Sequence, residues 1–167
     1  MDNQSVENQM ANTDTNKTDI KKVQFHGRFF ISIARNKQIN FGVSNIYVAI
    51  ILHFLVFWTT FNERIGNNKA FIDNKYWVRI SASKLSKDLE GIVSAKHIYR
   101  TLQGLINIGF IEVHKNKAGS ANTAYQYRPT SICYDYLSAN DDLNWAIYEA
   151  RQYADYKKEQ ISTKLNK

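Results

Sequence analysis

Between Lys37 and Glu63 the chain carries no charged side chain, and within that stretch Ile46 to Phe61 reads IYVAIILHFLVFWTTF. A run this apolar must be covered, and what covers it decides the fold. A membrane-spanning helix needs about 20 apolar residues. Here the strongly apolar part is only Ile46 to Trp58, and it is interrupted by His53. Ser44-Asn45 before the run can cap a helix, and Thr59-Thr60 follow it. The spacing therefore predicts a buried core helix, and no membrane partner is expected. His53 is expected to be a core or helix-surface histidine, because no second His stands at metal-binding spacing.

A chain of 167 residues is long enough to bury a core of its own. Residues 1–20 carry four acids, one Lys and few apolar groups. They cannot bury enough surface to offset the entropy of ordering, so residues 1–22 read as a disordered tail. Just after it, Phe29, Ile31 and Ile33 alternate, which predicts a short strand. Further on, Phe71-Ile72 and Tyr76-Trp77-Val78 flank Asp73-Asn74-Lys75 as a hairpin or bent strand.

From Ser81 to Arg128 the signals are denser. Ser81 or Ser83 can cap a helix over 82–89, with Leu85 and Leu89 four residues apart; Glu90-Gly91 ends it and Ile92-Val93 is a short apolar connector. Ser94 can cap a second helix, Ala95 to Asn107, and Gly109 stands where a left-handed residue would close it. At 100° per residue, Ile98, Leu102, Leu105 and Ile106 form one stripe, and Lys96, Tyr99, Arg100, Gln103 and Asn107 form the opposite face. Arg and Lys suit phosphates and guanine, and Gln or Asn suits adenine. Phe110 to Val113 and Thr123 to Arg128 then alternate as two strands around a basic loop, His114 to Asn122, and Pro129 closes the second strand.

Helix, turn, helix and basic hairpin in that order make the plan of a winged helix-turn-helix. The fold class is α+β: a three-helix core, a β-hairpin wing and an added C-terminal helix. The expected division is a winged-helix domain over 23–130 and a helical extension over 131–167. In that extension Asn140-Asp141-Asp142 look like a helix start, and apolar residues from Leu143 to Ile161 recur at helical spacing. One helix of about 20 residues follows from this, either packed on the domain or paired with its copy in a homodimer.

Charge agrees with a nucleic-acid partner. The net charge is +7, and residues 75–128 alone carry +6. The single cysteine, Cys133, excludes an internal disulfide framework and a Cys-based zinc site, and its neighbours predict a half-buried thiol. A cytoplasmic location fits. The sequence holds no Gly-rich phosphate loop, G-x-S-x-G, H-E-x-x-H or Cys pair, so neither an enzyme nor a cofactor is expected.

The segments AIILHFLVFW, KYWVRIS, SASKLSKDL, SAKHIYRTLQGLINIGFIEV and TAYQYRPT, in that order, resemble the winged-helix N-terminal domains of replication proteins from phages, plasmids and mobile elements, including initiators and DnaD-like helicase loaders. The resemblance spans roughly residues 29–130. It implies double-stranded DNA as partner, with replication proteins such as a helicase beside it. It also implies a DNA-facing surface of Ser94, Lys96, Tyr99, Arg100 and Gln103, with Lys115 and Lys117 on the wing touching phosphates. Only 38 residues follow Pro129, so a complete helicase-loading activity is not expected. Transcription regulators share the architecture, and a winged helix that has lost its DNA contacts can serve as an adaptor or inhibitor. Both stand as alternatives.

Overall fold

The computed structural model describes residues 29–114 and 125–165. Its elements run α1 (Ile31–Arg35), α2 (Asn45–Ile65), a 3-10 turn (Asn68–Ala70), β1 (Phe71–Ile72), β2 (Lys75–Tyr76), β3 (Val78–Ile80), α3 (Ala82–Asp88), α4 (Ala95–Asn107), β4 (Ile111–His114), β5 (Tyr125–Pro129), α5 (Ser131–Ala139) and α6 (Leu143–Leu165). The fold is α+β, with two small antiparallel sheets.

The apolar run forms α2, which continues three residues past its uncharged part. It contains neither Gly nor Pro, and it ends where Gly66 turns left-handed at φ 65° and bonds back to the carbonyls of Asn62 and Glu63. Twelve of its 21 residues are buried, around most of the helix circumference, so it is a central core helix. It has the length and composition of a membrane span, but the protein's own elements cover it.

α6 lies along α2. Ala146, Ala150 and Ala154 recur every four residues and are fully buried, which lets the two helices approach closely. His53 meets Trp145, Phe57 and Phe61 meet Tyr153, and Arg64 pairs with Asp155 through two hydrogen bonds of 2.9 and 3.0 Å. These contacts ascend together in both chains of residues, so α2 and α6 run parallel. Burial depresses the His53 imidazole to about 4, which leaves it neutral in the core.

Two expectations fail locally. Residues 31–35 form a helix, and no strand forms there. The deciding contact is Asp142, whose carboxylate accepts from the Ile31 N–H (3.3 Å), the Ser32 N–H (2.8 Å) and the Ser32 hydroxyl. This caps α1 from 110 residues away. One helical turn buries Phe30 and Ile33 together and leaves Ile31 52% exposed, which the strand pattern would have buried. In the C-terminal segment the expected helix forms as α6, but a second helix, α5, precedes it where a single helix was expected. Thr130 starts α5, its side chain accepting from the Cys133 N–H while its hydroxyl donates to the Gly109 carbonyl at 2.6 Å. Asp141, at φ 58°, then turns the chain into α6. Cys133 is fully buried, and burial pushes its thiol up to about 12.

β1 and β2 form the hairpin expected around Asp73-Asn74. Both turn residues have positive φ, 50° and 59°, and Ile72 pairs with Lys75 across them. That is a two-residue turn whose twist matches its strands. The larger sheet has the order β3-β5-β4, with β5 in the middle: Tyr127 pairs with Val78 on one side and Val113 on the other.

Candidate nucleic-acid interface

α3 and α4 meet through a tight turn. Ser81 accepts from the Lys84 N–H to start α3. Glu90 and Gly91 both take positive φ to leave it. The Ser86 hydroxyl then donates to the Val93 carbonyl at 2.8 Å, across the turn. Val93 is buried, whereas Ile92 is 66% exposed, so only half of the apolar connector is core. Ser94 caps α4 by accepting from the His97 N–H at 3.3 Å. At the other end, Gly109 at φ 75° donates to the Ile106 carbonyl while Phe110 donates to Leu105, the paired bonds of a Schellman end.

Between these caps α4 is divided as its sequence dictates. Ile98, Leu102 and Leu105 are buried with Thr101 and Gly104, and Ile106 packs partly against the core. Ser94, Lys96, Tyr99, Arg100, Gln103 and Asn107 are exposed. Lys96, Tyr99, Arg100 and Gln103 therefore share one solvent face, with exposed Ser94 at its N-terminal end; Lys115 and Lys117 lie outside the described residues.

Neighbouring elements fix this face in place. The Phe41 ring lies over Gly104, where a Cβ would come within 2.3 Å of it. A guanidinium nitrogen of Arg100 stands 3.9 Å from where a Cβ on Gly42 would be, so the loop before α2 borders the face. The His97 ring stacks on Tyr47 of α2, centroids 6.3 Å apart. On the sheet side, Tyr127 is buried in β5. Burial first, then the Tyr125 and Tyr99 hydroxyls beside it, push its own hydroxyl up to about 12. Tyr99 of α4 thus lies near the strand that leaves the hairpin.

Alternation puts Tyr125 and Tyr127 on one face of β5, but the two differ in burial. Tyr127 is buried, while Tyr125 is 41% exposed and its ring is 6.3 Å from that of Tyr127. With Tyr99, 55% exposed, it adds an aromatic flank to the basic face. Its position beside the loop at the strand's first residue was the available signal. His114, read as part of the loop, ends β4 and is half-buried, its ring 5.5 Å from Trp77.

Chemically, this is a surface of fixed cations, amides and phenols on a rigid helix. Among the described residues no three His, Cys, Asp or Glu side chains are grouped as a metal would need.

No protein-family model, curated protein or solved structure matches the chain.

Proposed function

We propose that this chain is a winged-helix protein that binds double-stranded DNA in the cytoplasm and works in the replication of a phage, plasmid or other mobile element. The observation that carries the reading is the α4 face: Lys96, Tyr99, Arg100 and Gln103 all exposed on one capped helix, with its opposite stripe buried. The element order supports the winged-helix part. A core helix, strand, two helices and two strands follow one another, and the last strand sits between the other two in the sheet.

In this reading α4 enters the major groove with its N-terminal turn first. Ser94, Lys96 and Tyr99 are then nearest the bases, and Arg100 and Gln103 follow one turn on. Exposed Lys87 on α3 is suited to a flanking phosphate. Lys115 and Lys117 supply the wing's phosphate contacts. The replication role rests on the resemblance of the sequence segments. The protein acts as a binder or adaptor rather than an enzyme, with a helicase as the kind of partner it would recruit.

The test is fluorescence anisotropy on duplex DNA over a salt series. Binding is expected to weaken with a log–log slope of about −0.9 for each phosphate contacted. Reversing charge at Arg100 and Lys115 together is expected to abolish binding while circular dichroism and the unfolding midpoint stay unchanged. A folded double variant that binds like the parent overturns the assigned surface.

A further inference from the structure

α4 meets α2 near its start, where Tyr47 stacks on His97. Twelve residues further along α2, or about 18 Å at 1.5 Å per residue, Thr59 begins the wall of a separate cleft. The cleft has a volume of about 350 Å³, within the range of small-ligand sites, and shares no residue with α3 or α4. Its polar lining includes Glu63 of α2, Lys75 of β2, Arg128 of β5, Tyr134 of α5 and Arg151 of α6.

Its charges do not balance. Three cations converge, and Glu112 serves two of them, 3.2 Å from the Lys75 ammonium and 3.3 Å from the Arg128 guanidinium. Arg151 is exposed and has no carboxylate within bridging distance among the described residues. Against Glu63 and Glu112 the group retains one positive charge.

Its hydrogen bonds do not close either. Arg128 Nε and Thr59 Oγ1 are buried and have no partner. A buried donor left in this state is costly, and a small shift of the lining side chains would let an acceptor from outside relieve it. The Arg128 guanidinium is also held in place, 5.9 Å above the Trp77 ring and paired through Nη1 with Glu112, so its charge has a fixed position at the cleft. Tyr134 adds a hydroxyl that burial keeps protonated, and therefore able to donate.

We propose that this cleft binds a phosphate monoester dianion, free or carried on a small organic molecule, through Arg151, Lys75 and Arg128, with Thr59 and Tyr134 as hydroxyl donors. Three cations around a tetrahedral anion suit phosphate better than one flat carboxylate, which a single Arg fork satisfies. The position, away from α4, makes it an effector site on a protein whose other face meets DNA.

The experiment is a calorimetric titration of the full chain with inorganic phosphate and with deoxyadenosine monophosphate, at ionic strength held constant with chloride. Saturable binding is expected, weakened about tenfold by Arg151→Gln and again by Lys75→Gln. Both side chains are exposed, so these variants should fold. Tighter binding of the nucleotide supports an organic carrier, and equal binding supports free phosphate. Two results overturn the site: no saturable binding of either probe, or binding that survives Arg151→Gln plus Lys75→Gln and is lost in Lys96→Gln plus Arg100→Gln. Duplex DNA binding of Arg151→Gln is expected to match the parent, so failure of this site and failure of the α4 surface are read separately.

Discussion

Gly104 is a helical residue without a side chain because Phe41 occupies the space. A Cβ there would stand 2.3 to 2.6 Å from three ring carbons, well inside contact distance. Gly104→Ala is expected to cost about 1–3 kcal/mol in urea unfolding despite the better helix propensity of Ala. A double-mutant cycle with Phe41→Ala should return a favourable coupling, since the clash disappears with the ring. An alanine variant as stable as the parent would mean that the loop carrying Phe41 moves freely. His53 gives the second residue-scale expectation. Its folded pKa is about 4 against 6.5 when unfolded, so between those values only the unfolded chain holds the proton. Stability is therefore intact above about pH 6.5 and falls as pH drops toward 4, by up to about 3 kcal/mol. His53→Phe should flatten that part of a stability–pH profile, and an unchanged slope would assign it to other groups.

At the scale of elements, what the sequence reveals depends on how far away the deciding contact lies. α4 is legible because its stripe, its Ser94 cap and its Gly109 end all lie within 16 residues. The β1–β2 turn is legible for the same reason. α1 is not, since Phe29-Phe30-Ile31 fits either period and the cap that chooses the helix comes from Asp142. The start of α5 is hidden likewise, because the hydroxyl of Thr130 is anchored to Gly109 across the sheet. Two serines show the contrast in energy. Ser94 caps α4 with a side-chain bond, and Ser44 precedes α2 without one. Ser94→Ala is expected to lose about 1 kcal/mol, and Ser44→Ala only a few tenths. Equal losses in parallel thermal unfolding would show that local cap geometry does not govern these two helices. Asp142→Ala should cost more than Ser44→Ala, because it strands two N–H groups of α1 in a partly buried position.

For the whole molecule the decisive relation is between the first long helix and the last. The sequence shows both as apolar and helical, but not that they run parallel and in contact. That follows from the alanine row on α6 meeting the aromatic sides of α2, a match between segments about 100 residues apart. Helix α4, whose exposed face we propose meets DNA, is held by the same assembly, since α2 carries α4 through Tyr47 and His97 on one side and α6 on the other. Removing α6 should therefore reach the interface indirectly. A chain ending at Ala139 would expose the α2 surface around His53, Phe57 and Phe61, and it would lose the Asp142 cap on α1. At about 25 cal/mol for each Å² of apolar surface, uncovering one side of a helix this long amounts to much of the 5–15 kcal/mol that holds a typical domain folded. The truncated chain is expected to lose cooperative unfolding and to self-associate in sedimentation, while Ala150→Glu in the full chain lowers the unfolding midpoint steeply. If the shortened chain melts cooperatively near the parent's midpoint and stays monomeric, α6 is an appendage and the core is complete without it.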